Sequence, residues 1–326
     1  MAITELTGPQ TALKLVEVPE PEASHMLTPG SGVIIDVHAA GVSFPELLQT
    51  RGEYQLKPPL PFVPGSEVGG VVRCAPADAE VAPGDRVAAL CMLGGFAEVA
   101  VAPAFFCFAL PEQLDFAQGA SLVLNYHTAY FALKLRGRLH EGEKVLVHGG
   151  AGGVGTAALQ VSGALGARTL AVVSSDQKER VARQAGADHV VRSNGAWKDE
   201  AREWSGGGVD LVLDPVGGDR FTDSLRSLRE GGRVVVVGFT GGSIPEVKVN
   251  RLLLNNTEVI GAGWGAYMMG KPQLCREIGA ALAEMIERGI VDPLVGARYP
   301  LQRAADALEL LDSRGATGKV VLELDQ

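Results

Sequence analysis

Five glycines fall within seven residues, at 149, 150, 152, 153 and 155, directly after the apolar run Val145, Leu146 and Val147. That run is too short for a buried helix and β-branched enough for a buried parallel strand. After the glycines, Val154, Ala157, Ala158, Val161 and Leu165 recur at helical spacing. Strand, glycine turn and helix together form a seat for a dinucleotide pyrophosphate. Without side chains the backbone approaches the phosphates closely, and the N–H groups of the helix start face their negative charge. The spacing here is G-x-x-G-x-G rather than G-x-G-x-x-G, so the strand–turn–helix context carries the reading. Ala151, Gly152, Gly153 and Val154 are the expected pyrophosphate contacts.

From 144 onward the pattern alternates. Strands are expected at 169–173, 189–191, 210–213, 233–237 and from 258; helices at 177–185, 197–204 and 220–228. The fold class is therefore α/β, with a doubly wound parallel sheet of about six strands. Residues 273–289 and 304–313 read as further helices, and 319–324 as a closing strand. Residues 1–120 read differently, with strands at 33–38, 67–74, 85–90 and 96–101 separated by Pro-Gly turns and one short helix near 45–50.

In such a sheet the second strand ends about 20 residues past the glycine turn, where an acid would favour NAD by binding the ribose 2′-hydroxyl. Here Ser174 and Ser175 hold that place, with Lys178 one helical turn on. Two hydroxyls and an ammonium suit a 2′-phosphate, so the pattern predicts NADP(H). Asp176 is read as the N-cap of the following helix rather than as a ribose ligand.

The 326 residues suffice for two domains, and a net charge of −9 argues against a nucleic-acid or anionic-membrane surface as the main task. No apolar stretch is long enough for a transmembrane helix, and residues 1–20 lack a signal-peptide core. Cys74, Cys91, Cys107 and Cys275 are scattered without zinc-ligand spacing, so each is read as a small buried hydrophobe in a cytoplasmic chain.

Several segments carry a family likeness. Ala40, Gly41, Val42, Ser43, Phe44, Pro45 and Glu46, followed by Arg51, Gly52, Glu53 and Tyr54, resemble an A-G-V-N-x-x-D…R-x-G-x-Y signature. Pro64 to Val72 is similar to P-G-x-E-x-x-G-x-V, and His148 to Gly155 to H-G-A-A-G-G-V-G. The runs Asp214 to Gly218, Gly232 to Phe239 and Gly315 to Lys319 complete the series. Together they resemble the zinc-independent quinone oxidoreductases, the zeta-crystallin group of the medium-chain dehydrogenase/reductase superfamily.

The resemblance implies a GroES-like β-rich catalytic domain at 1–122, completed by 265–326, and a Rossmann domain at 123–264. It implies a homodimer, an active site in the cleft between domains, and NADPH as hydride source for a quinone or other conjugated carbonyl. It points to Tyr54 as an active-site tyrosine, either hydrogen-bonding the acceptor or lining the wall. Ser43 stands where the group usually has Asn, and Glu46 near its Asp. Thr128, Gly238 and Phe239 are expected near the cofactor, and Arg314 aligns with an arginine that reaches the 2′-phosphate. Arg192 and Ser193 replace a tyrosine that stacks near the adenine, and Arg192 is the expected substitute. Arg51 is expected in an ion pair and His148 in a structural role, while Trp264 and Tyr267 belong either to the substrate cleft or to the core. Zinc-dependent relatives use a cysteine and a histidine where this chain has Ser43 and Ser66. A serine hydroxyl is a poor zinc ligand, so no metal is expected. The rival readings are a 2-alkenal, enone or enoyl-thioester reductase, and a non-catalytic nucleotide-binding protein of crystallin or RNA-binding type.

Overall fold

The computed structural model describes residues 1–324. The chain divides into two compact units. The first takes Met1–Leu124, Met269–Gly279 and the residues from Pro293 onward; the second takes Asn125–Met268 and Ala280–Asp292.

The second unit holds a six-stranded parallel sheet. Its order is His189–Arg192, Arg168–Val173, Lys144–His148, Val209–Asp214, Leu228–Val236 and Glu258–Gly261. The strand order reverses between Lys144–His148 and Val209–Asp214. Ligands of open α/β sheets bind at such a reversal, beyond the carboxyl ends of the strands. Val145, Leu146, Val147, Leu211, Val212 and Leu213 are all fully buried. Covered on both faces, these strands read as continuous apolar runs rather than as alternation. Helix Gly153–Ala164 follows the glycine turn.

The first unit is built on a sheet ordered Val295–Pro300, Lys319–Glu323, Val33–Val42, Glu67–Cys74, Arg86–Leu90 and Cys107–Ala109, with Val99–Ala102 also pairing on Val33–Val42. Val33, Ile35 and Val37 are buried and alternate with half-buried neighbours, as a strand with one core face requires. Two of its motif glycines, Gly41 and Gly69, are packing glycines. A Cβ on Gly41 would lie 2.2 Å from Ala120 O, and one on Gly69 would lie 2.2 Å from Phe116 O. The short helix Phe116–Gly119 lies that close to the sheet.

Sequence reading misplaced several features. The strand expected at 33–38 runs to Val42, and the one expected at 96–101 is Val99–Ala102, preceded by the buried Phe96. Val295–Pro300 went unread: Val295, Ala297 and Tyr299 alternate with exposed residues but are only half-buried, and Gly296 and Pro300 in the run read as turn residues. Cys74 is exposed, whereas Cys91, Cys107 and Cys275 are buried as expected.

Candidate functional site

The glycine turn sits at the strand reversal of the second unit. Gly149 turns the chain at φ 60°, a left-handed conformation that suits glycine. A Cβ on Gly153 would lie 2.5 Å from Asn125 Nδ2, and one on Gly155 would lie 2.1 Å from Gly149 O. The turn and the helix start therefore touch backbone to backbone. Ala151 is buried, while Gly152, Gly153 and Val154 are half-buried at the helix start. There the first N–H groups have no partner inside the helix. Thr128, buried, opens the short helix Thr128–Tyr130, which packs on Gly153–Ala164. This cradle of small residues fits a pyrophosphate.

Beyond the second strand, Ser174 and Ser175 are exposed. Ser175 is the N-cap of helix Asp176–Gln184, its hydroxyl accepting the Lys178 N–H at 3.3 Å. This corrects the reading of Asp176 as the cap; Asp176 is the first helical residue, with its side chain 90% exposed. Arg192 reaches across from the neighbouring strand and donates to Asp176 Oδ1 and Glu179 Oε2, both at 2.6 Å. Arg183 and then Arg192 hold the Glu179 carboxyl below its ordinary range. The Ser193 N–H donates to Val173 O at 2.8 Å, which places Ser193 beside Ser174. Ser174, Ser175 and Ser193 thus gather at two neighbouring strand ends with Lys178, Arg192, Asp176 and Glu179.

Gly238 and Phe239 follow strand Leu228–Val236. Thr240 and Gly241 donate backbone N–H groups to Pro215 O and Val216 O, tying this segment to the Asp-Pro-Val-Gly-Gly turn. Asp214, fully buried, organises that turn by accepting from the Val216 and Gly217 N–H groups at 2.8 Å each. His148 is fully buried, with Nε2 at 2.8 Å from Ser224 Oγ; burial lowers its pKa to about 4, so it is a neutral structural residue. Trp264 is buried edge-on to His127, while Tyr267 is partly exposed against Phe131.

In the first unit, Ser43 is the N-cap of helix Phe44–Gln49. Its N–H donates to Glu46 Oε2 at 2.9 Å. Glu46 Oε1 accepts from the Ser66 N–H at 2.8 Å and from the Ser66 hydroxyl. Burial pushes the Glu46 carboxyl up, against the pull of those donors. Lys319, buried, donates to Ser43 Oγ at 2.5 Å and to Glu67 Oε1. The other oxygen of Glu67 accepts the Leu124 N–H at 2.8 Å. Tyr54 is half-buried, and burial followed by the charge of Glu46 raises its phenol pKa. Arg51 pairs with Asp312 at 2.5 Å, the structural ion pair expected of it. Arg314 is an exposed residue of this unit, at φ 57° after helix Ala304–Asp312.

The residues overlooked in the sequence are Asn125, Asp214, Glu67 and Lys319. Asp214, Glu67 and Lys319 all lie in the family-like segments, but nothing in those segments gave them a role.

Residues 29–112 match the alcohol dehydrogenase GroES-like domain family, and 153–282 match the zinc-binding dehydrogenase family. The chain is 39% identical over 296 residues to quinone oxidoreductase-like protein 2 of Rattus norvegicus, covering 90% of this chain and 85% of that protein. It is 35% identical over 330 residues to quinone oxidoreductase of Homo sapiens, covering 99% and 96%. Among solved structures it is similar to the quinone oxidoreductase of Thermus thermophilus, described with its NADPH complex, at TM-score 0.85 and 35% identity over 99% of each chain.

The zinc in one family description does not fit the donor set here. Ser43 Oγ accepts from an ammonium, Ser66 Oγ donates to Glu46, and Glu67 is paired with Lys319. No thiolate or imidazole stands among these groups, and the buried ammonium would repel a dication.

Proposed function

The chain belongs to the quinone oxidoreductase group of the medium-chain dehydrogenase/reductase superfamily, and from that premise we propose that it reduces a quinone with NADPH and without a metal. It is an oxidoreductase of that group. The observation that carries the cofactor reading is the glycine cradle, whose turn and helix start are in backbone contact at Gly155 and Gly149. When bound, NADPH supplies the hydride. The residues of the second unit do the holding: Ala151, Gly152, Gly153 and Val154 at the pyrophosphate, Ser174, Ser175 and Lys178 at the 2′-phosphate. In the first unit, Ser43 and Tyr54 are the proposed hydrogen-bond donors to the acceptor. A conjugated acceptor needs a donor at its developing oxyanion but no Lewis acid.

Steady-state NADPH oxidation tests this with 1,4-benzoquinone, phenanthrenequinone, an α,β-unsaturated ketone and crotonyl-CoA. Quinone turnover is expected. Turnover of the enone or thioester alone would replace the acceptor class, and NADPH binding without any turnover would return the non-catalytic reading.

Arg192 is proposed to neutralise Asp176 and Glu179 where the 2′-phosphate sits. Arg192→Ala leaves Asp176 without its cation and Glu179 with Arg183 alone, so negative charge beside that phosphate rises. The NADPH dissociation constant is expected to rise on the order of tenfold, with that for NADH little changed. Equal effects on both cofactors would remove the assignment.

A homodimer is proposed through the second unit. Among the described residues, the edge strand Glu258–Gly261 pairs on one side, with Leu228–Val236. Leu253 and Leu254 beside it are 76% and 74% exposed. An open strand edge with apolar neighbours invites pairing. Light scattering should give twice the chain mass. Among the described residues no helix is long and apolar enough to cross a membrane, and the free cysteines support a reducing, cytoplasmic setting.

A further inference from the structure

Ser43 replaces an amide that carries its own N–H donors with a hydroxyl that can rotate. What fixes that hydroxyl is visible behind it. Lys319 Nζ lies 2.5 Å from Ser43 Oγ and also donates to Glu67 Oε1. The Lys319 side chain is 4% exposed and that of Glu67 0%. An ammonium has three donors and no lone pair. In this contact Ser43 Oγ is therefore the acceptor, and its own hydrogen must point elsewhere. Among the described residues the Ser43 hydroxyl has no protein acceptor. Glu67 is in turn held by the Leu124 N–H, and the Ser43 backbone by Glu46. Each member of the chain from Leu124 to Ser43 is thus anchored by the one behind it.

We propose that Lys319 is the positioning residue of Ser43, turning the hydroxyl proton outward as a polarised donor to the oxyanion of the reduced acceptor. The inference rests on the reading above that Ser43 contacts the acceptor. Charge at the donor strengthens such a bond, and low dielectric around the pair amplifies it. The ammonium thereby supplies, through one hydroxyl, positive polarisation at the place where zinc-dependent relatives have a ligand cysteine. No bond is made or broken at Lys319; its part is orientation and polarisation.

The test is a set of variants measured for kcat and KM with phenanthrenequinone and for NADPH dissociation. Ser43→Ala should lower kcat on the order of 100-fold, the effect of losing an oxyanion donor. Lys319→Met alone leaves Glu67 buried and unpaired and is open to misfolding. The neutral pair Glu67→Gln/Lys319→Met avoids this and should lower kcat on the order of tenfold, with KM and the NADPH constant unchanged. Adding Ser43→Ala to that pair should cost no more than Ser43→Ala alone, because both act on one donor. Adding Ser43→Asn should restore activity, since amide N–H donors need no ammonium to aim them. A purely structural Lys319 would give additive losses and no rescue by Asn. That outcome, or a Glu67→Gln/Lys319→Met enzyme with unchanged kcat, overturns the inference while leaving quinone reduction standing. A wild-type protein that turns over no quinone overturns the proposed function and this inference with it.

Discussion

Gly155→Ala is expected to raise the NADPH dissociation constant at least tenfold and to lower stability by about 3 kcal/mol. The new methyl would lie 2.1 Å from Gly149 O, 2.8 Å from Gly149 C and 2.9 Å from Gly150 Cα, all backbone atoms. No rotamer change relieves such an overlap, because the contact is made by Cβ itself. The helix start must move away from the turn, and the N–H groups that face the pyrophosphate lose their common aim. The same helix contains its own control. A Cβ on Gly163 would meet nothing within 4 Å, and the residue is exposed. Gly163→Ala should therefore stabilise by about 0.5–1 kcal/mol through helix propensity alone, leaving NADPH binding unchanged. Fluorescence titration and thermal unfolding of the two variants side by side provide the check. Equal behaviour of the two would mean that the close approach at Gly155 does not govern the site.

Arg233→Met should destabilise the second unit by about 3–5 kcal/mol, lowering the melting midpoint by roughly 10 °C. Arg233 is 5% exposed, and its guanidinium donates to Glu143 Oε1 and Oε2 at 3.0 and 2.6 Å. It also donates to the carbonyls of Gly137, Arg138 and Asp210. Methionine keeps most of the apolar stem but leaves a carboxylate and three carbonyls without their cation. Glu143→Gln/Arg233→Met should recover part of the loss, because breaking a buried pair costs more than removing it whole. The pair also has a pH signature. Burial acts to raise the Glu143 carboxyl, but the Arg233 hydrogen bond outweighs it, and the pKa lies below its ordinary 4.5. A depressed carboxyl stabilises the native state fully above about pH 4.5 and loses that contribution as pH falls through the lower, folded value. Wild-type unfolding should therefore become steeper in acid below pH 4.5, and Arg233→Met should flatten that part of the curve. A variant that kept the wild-type acid slope would show that this pair does not set it.

Local chemistry made much of the second unit legible. A parallel strand covered on both faces is a short apolar run, and each helix between strands carries its own periodicity. Lys144–His148, Arg168–Val173 and Val209–Asp214 were therefore readable to within a residue or two. The edge strand Val295–Pro300 was not: its inner face of Val295, Ala297 and Tyr299 is only half-buried, and Gly296 and Pro300 within it carry the signals of a turn. Asp176 was misread as a helix cap because serine and aspartate both cap helices, and only the backbone decides which of two neighbours is the last non-helical residue.

The sequence by itself determined the glycine turn, the βα alternation and the serines at the second strand end. Each is a local pattern written within a few residues. The tertiary structure alone decided the cluster around Ser43. Lys319 and Ser43 stand 276 residues apart, and Lys319 and Glu67 252 apart. Strand pairing brings them together: Val320 lies opposite Val42, and Gly41 opposite Glu67, in one sheet. Register across a sheet is set by the burial of whole strands, not by the few polar residues it aligns. A lysine in a closing strand therefore bears no mark, in its own neighbourhood, of the serine it will meet.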